Sequence, residues 1–95
     1  MSDEQFITGE IRNLKNDVNS VMLFAEGMAA KLRKNSHKAH WSKASIGYLQ
    51  SRLSDENIEL EQAIAHDTDE AIISECYDVA NFAMMIADNI RNGIR

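Results

Sequence analysis

At 95 residues, with a formal charge of -5, one cysteine and no proline, the chain has room for a single domain with a small core, and the lone Cys76 excludes an internal disulfide. The longest apolar run, Val79 to Ala87, is broken by Asn81 and too short to cross a bilayer; with no signal peptide visible, no membrane role and a reducing, cytoplasmic setting are expected. The charge is divided: residues 28–53 carry six Lys and Arg and no acid, while residues 54–89 carry ten carboxylates and no Lys or Arg, which argues against nucleic-acid binding by the acidic half and suits a cation.

The residue usage, rich in Ala, Leu, Ile, Met, Glu and Lys, favours helices throughout. In residues 1–34 the apolar positions run Ile7, Ile11, Leu14, Val18, Val21, Ala25, Met28 and Leu32, alternating steps of four and three. That seam predicts one long helix from residue 3, or two helices broken near Gly9 or Gly27. It serves either an intramolecular core or a subunit interface. A chain this small buries only about 60–65% of the surface it exposes when unfolded, so association into a homodimer or homotetramer is expected.

Residues 35–44 break the periodicity and read as a loop. A second helix is predicted over 45–66, with Ser45 or Ser42 as its N-cap and a seam of Ile46, Leu49, Leu53, position 56, Leu60, and Ala63 or Ile64. After a short turn, Asp67 and Glu70 have the form of a capping box for a third helix over 68–92, which Gly93 ends. Its seam is Ile72, position 75, Val79, Phe82, Ile86 and Ile90. The expected architecture is an all-α, homo-oligomeric bundle: a long N-terminal helix plus two antiparallel helices.

Positions 56 and 75, where Leu or Ile is expected, are both glutamate, and each has a second acid three residues on: Glu59 and Asp78. Residues at i and i+3 share a helix face. Antiparallel packing of helices two and three brings all four carboxylates between them. One Glu-x-x-Glu is ordinarily a solvated face; two pairs that both begin on the apolar seams of adjacent helices are not. No basic residue follows either pair within helix reach, so the natural partner is a divalent cation, and all-oxygen ligation selects Mg²⁺ or Mn²⁺ over Zn²⁺. A di-iron bundle wants Glu-x-x-His, and His66 does not follow a Glu at that spacing.

With those acids placed, the chain resembles the MazG-like all-α NTP pyrophosphohydrolases, in the style of small bacterial and phage members. Glu56-Asn57-Ile58-Glu59, fifteen residues, then Glu75-Cys76-Tyr77-Asp78 is similar to the family's ExxE…ExxD signature. The helix from Arg52 to Ile64 is similar to RLxEExxELxxAI, the stretch Glu75 to Asp88 to ExxDVANFxMxxAD, and Lys31 to Trp41 to a KLxxNxHKGHW lead-in. The likeness runs from residue 31 to 90. It departs from the family at Asp55 and Ile58, where the family often has a Glu and a small residue, and at Tyr77, where Ala is usual. The resemblance implies hydrolysis of a (d)NTP to the (d)NMP and pyrophosphate. It implies Mg²⁺ held by Glu56, Glu59, Glu75 and Asp78, water activation by one carboxylate, here Glu59, and a dimerising bundle with substrate sites near the subunit interface.

Further residues carry weaker expectations beside ordinary ones. Lys31, Lys34 and Lys38 can offset triphosphate charge, or be solvated at a helix C-terminus. Trp41 can stack on a base or anchor the core. His37 and His40 can meet phosphate or base, or hydrogen-bond within the loop. Asn81, one turn after Asp78, can orient a ligand or reach the nucleotide. Arg91 and Arg95 can reach a neighbouring site. Phe82, Met84, Met85 and Ile86 read as core, and Cys76 as packing, because a nucleophile needs a paired base. The competing functional reading is a non-catalytic helical oligomerisation or regulatory module. A helix-turn-helix DNA binder is disfavoured by the acidity and by a turn segment without glycine.

Overall fold

The computed structural model describes residues 3–35 and 40–95, with side chains at 10, 13–35 and 40–95. Three helices, α1 (Asp3–Lys34), α2 (Ile46–His66) and α3 (Asp69–Arg91), make an all-α architecture, with a 3₁₀ turn at Trp41–Lys43 leading into α2. Among the described residues there is no strand, and no helix is long and apolar enough to cross a membrane. The side chains of Ile7 and Ile11 and the whole of His37 and Lys38, which carried expectations, lie outside the described residues.

The helix ends follow local chemistry. Ser45, not Ser42, caps α2: its hydroxyl accepts from the Tyr48 N–H at 3.1 Å. Asp67 belongs to the end of α2, donating its N–H to the Ala63 carbonyl, and Thr68 caps α3 by accepting from the Ala71 N–H at 3.3 Å. The expected capping box at Asp67 is therefore displaced by one residue, and Asp69 and Glu70 sit in the first turn of α3, where carboxylates oppose the positive helix end. At the other end, Gly93 takes φ +74°. Its N–H meets the Ile90 carbonyl, and the Ile94 N–H reaches Asn89 at 2.8 Å, the paired bonds of a Schellman stop that glycine accommodates without strain.

Helices α2 and α3 form an antiparallel hairpin, closed at its open end by the Ile46 N–H donating to the Arg95 carbonyl at 2.9 Å. α1 lies against α3 but not α2. Sandwiched between two partners, α3 is buried most deeply along Asn81, Met85 and Asn89, each four residues apart. This is a correction to the expected seam, which treated α3 as one-faced; Ile90, on that seam, is exposed. Each of the two asparagines commits its amide nitrogen to backbone, while its buried Oδ1 has no partner. Asn81 Nδ2 donates to the Met28 carbonyl of α1 at 3.1 Å, and Asn89 Nδ2 donates to the carbonyls of Trp41 (3.1 Å) and Ala44 (3.0 Å).

α1 is unbroken at Gly27. That glycine is instead a notch filled by the Tyr77 ring, which a Cβ there would strike, and Tyr77 in turn packs on Phe24 with ring centroids 4.9 Å apart. Docking is confined to the C-terminal part of α1. Upstream, Leu14, Val18, Val21, Met22 and Leu23 are 49–69% exposed, so among the described residues no element covers the apolar seam there. The protruding helix explains a radius of gyration of 17.2 Å, against about 12 Å for a compact chain of this length. Only Leu49, Ala63 and Met85 are fully withdrawn apolar side chains among the described residues, so the core within one chain is small.

Candidate metal centre

The stripe of α2 that faces α3 is Leu49, Glu56 and Ala63, spaced by seven, so the helical period itself carries Glu56 into the hairpin. Glu56 is 7% exposed. Across from it, Glu75 and Asp78 share one face of α3, and one carboxylate oxygen from each of the three lies within 4.8 Å of the others. Glu59 stands one turn along α2, exposed and outside this three-oxygen cluster.

Two cations border the acids. Lys31, reaching from α1, places its Nζ 3.1 Å from Asp78 Oδ2 and donates to Ser74 Oγ at 2.9 Å. Arg52, one turn before Glu56, bonds Glu56 Oε1 through Nη2 at 3.2 Å and Asp55 Oδ2 through Nη1 at 3.1 Å, and its guanidinium lies over the Phe82 ring at 5.4 Å. No Lys or Arg follows either acidic pair within helix reach, as expected, but Arg52 precedes Glu56 by four residues and serves as an ordinary i,i+4 partner.

These cations do not satisfy the cluster. Glu56 Oε2 and Glu75 Oε2 are both buried without a hydrogen-bond partner. Burial first, then the neighbouring Glu59 and the charge of Asp78, push the Glu56 carboxyl up to about 7, with Arg52 pulling the other way. Glu75 is raised as well, chiefly by burial, then by Asp78 and Glu59, with Lys31 opposing. Two unit charges 4.8 Å apart repel by roughly 3–4 kcal/mol at an effective dielectric of 20. Glu56, Glu59, Glu75 and Asp78 outnumber the two cations, and Arg52 is shared with Asp55, so the cluster keeps a negative excess that a divalent cation would offset.

The donor set fits such an ion. Around an octahedral Mg²⁺ neighbouring oxygens stand about 3 Å apart and opposite ones about 4.2 Å, so three oxygens within 4.8 Å of one another can close on an ion with side-chain adjustments of about 1–2 Å. Orphaned buried oxygens on both helices are the second sign of a fit, since an unpaired buried acceptor is costly. Glu56, Glu75 and Asp78 would be the direct ligands, with Glu59 at the edge.

The other expected site residues are dispersed. Lys31 is engaged with Asp78 rather than free, and Lys34 is exposed at the end of α1. Trp41 is half-buried and stacked on His40 at 4.7 Å, while the His40 ring nitrogen caps the 3₁₀ turn by accepting from the Ser42 N–H. The Trp41 carbonyl is held at Asn89, about 16 Å along α3 from Asp78. Asn81 has its amide nitrogen committed to α1, leaving its buried Oδ1 without a partner. Arg91 and Arg95 are exposed at the far end of α3, and Cys76 is a half-buried free thiol. Set against protein-family models, curated proteins and solved structures, the chain matches none of them.

Proposed function

We propose that the chain is a Mg²⁺-dependent nucleoside triphosphate pyrophosphohydrolase of the MazG-like kind, cleaving a (d)NTP to the (d)NMP and pyrophosphate. The observation that carries this reading is the meeting of Glu56 from α2 with Glu75 and Asp78 from α3, with buried, unpartnered oxygens on both sides. The ExxE…ExxD spacing and the similar flanking motifs supply the reaction class.

In this reading Glu56, Glu75 and Asp78 hold the ion, for which Mn²⁺ can substitute. When bound, the ion stabilises the charge that builds on the phosphoryl oxygens. Glu59 is solvent-facing and one helical turn from Glu56, so it is the carboxylate we assign to orient water at the α-phosphorus and take its proton. The bond from that phosphorus to the α,β-bridging oxygen breaks, and pyrophosphate leaves. Arg52 fixes the Glu56 carboxylate through one oxygen and leaves the other free. Lys34 and Lys38 remain proposals as phosphate contacts, and His37, Trp41 and Asn81 as base or sugar contacts. The distance of Trp41 along α3 suits a nucleotide that extends away from the acids, or an acidic site in another subunit. The exposed seam from Leu14 to Leu23 supports assembly of copies into a dimer or tetramer. The single cysteine supports a cytoplasmic, reducing setting.

That same seam favours the second reading, a non-catalytic oligomerisation or regulatory module. A panel of dNTPs and NTPs incubated with Mg²⁺ separates the two. The enzyme reading expects monophosphate and pyrophosphate in equal amounts from at least one substrate, lost in Glu56→Gln and Asp78→Asn. No release across the panel, or full release by either variant, points to the regulatory module.

A further inference from the structure

The ammonium of Lys31 is the only cation that α1 brings to the carboxylates among the described residues. It is held by geometry: 3.1 Å from Asp78 Oδ2 and 2.9 Å from Ser74 Oγ, with the Lys31 and Asp78 side chains only 22% and 21% exposed. Lysine has three donors and a flexible stem, so it can leave one acceptor for another at little cost. Asp78 is also one of the three residues whose oxygens gather within 4.8 Å. An ion among those oxygens and an ammonium at one of them repel each other and compete for the same carboxylate.

We propose that Lys31 is an internal counter-ion that a divalent cation displaces from Asp78, so that metal binding frees the ammonium for an anion bound beside the metal. The inference rests on the metal reading of this cluster and adds an order to it: cation first, anion second. Two other α1 contacts, Asn81 to the Met28 carbonyl and Tyr77 in the Gly27 notch, lie about one turn before Lys31 and keep the helix docked while its side chain swings. Ser74 is the pivot that holds the ammonium near the site in both positions.

The test measures binding rather than turnover. Mn²⁺ affinity is read by electron paramagnetic resonance without nucleotide, and inorganic pyrophosphate binding by calorimetry on Mn²⁺-saturated protein, for the wild type, Lys31→Met, and Lys43→Met as an equal charge change on the exposed 3₁₀ turn. Lys31→Met is expected to bind Mn²⁺ about three- to tenfold more tightly and pyrophosphate several-fold more weakly, while Lys43→Met leaves both unchanged. Opposite signs at one position are the signature, since general damage to the fold weakens both. In chelator, Lys31→Met should melt a few degrees below the wild type, with the gap closing in saturating Mn²⁺. Equal or weaker Mn²⁺ binding by Lys31→Met, in a wild type that does bind Mn²⁺, overturns the displacement alone. Absence of Mn²⁺ binding by both overturns the metal reading itself. Should Lys31→Met fail to fold, Ser74→Ala loosens the same ammonium without changing charge and is expected to tighten Mn²⁺ modestly; unchanged or weaker binding there overturns the proposal.

Discussion

Replacing Glu56 with glutamine should stabilise the chain in chelator and cancel its stabilisation by metal. Glu56 is 7% exposed, and its carboxyl is pushed from an ordinary 4.5 up to about 7 by burial and by the neighbouring acids. A group raised in this way contributes stability that is fully present below its unfolded value and is lost as pH climbs through the folded one. At about 1.4 kcal/mol per unit, ionising Glu56 in the folded chain costs on the order of 3 kcal/mol by pH 8. Glutamine removes that cost. It also removes the ion pair with Arg52, but Arg52 keeps Asp55 as a partner at 3.1 Å, so the penalty there is small. Urea unfolding in chelator at pH 5 and pH 8 is the assay. The wild type is expected to lose roughly 2–3 kcal/mol between the two, and Glu56→Gln clearly less. Adding Mg²⁺ or Mn²⁺ at pH 8 should restore the wild type and leave the variant unmoved, because a ligand that binds only the folded state stabilises in proportion to its affinity. A wild type whose stability is flat from pH 5 to pH 8, with the variant less stable throughout, would refute the reasoning, for Glu56 would then be an ordinary satisfied carboxylate.

Other substitutions probe the frame that positions the acids. Gly27→Ala forces the Tyr77 ring out of its notch and away from Phe24, and should cost about 1–3 kcal/mol in thermal or urea unfolding. Asn89→Ala strands the Trp41 and Ala44 carbonyls and should cost about 2–3 kcal/mol by the same measurement, unlike an exposed asparagine such as Asn57. Val21 is 67% exposed, so Val21→Glu should leave the stability of a single chain within about 0.5 kcal/mol while reducing the assembled mass seen by analytical ultracentrifugation.

The helices were legible because their signals are local. The α1 period, Ser45 as a cap and Gly93 as a stop all act within one turn, and each lands within a residue of its expected place. The N-cap of α3 was not decided by sequence, since Asp67 and Thr68 are both good caps and the turn geometry chooses between them. What depends on α3 having two partners was also hidden. A helix packed on one side hides one stripe; packed on two, it hides the line between them, so Met85 is buried as read from the sequence, but the deepest positions beside it are Asn81 and Asn89 rather than Phe82 and Ile86. Gly27 looks like a break in sequence and is a docking notch in space, because only the structure brings Tyr77 to it. Within the site, Glu56, Glu75 and Asp78 converge, three of the four carboxylates expected, with Glu59 outside the cluster, and Arg52 is visible one turn back from Glu56. The bond from Lys31 to Ser74 spans 43 residues, and no helical spacing encodes it.

The most direct measurement is an anomalous difference map at the manganese edge from crystals grown with Mn²⁺. The account predicts one peak in the α2–α3 hairpin, about 2.1 Å from an oxygen of each of Glu56, Glu75 and Asp78. No peak there, with those side chains turned apart into solvent, would contradict it.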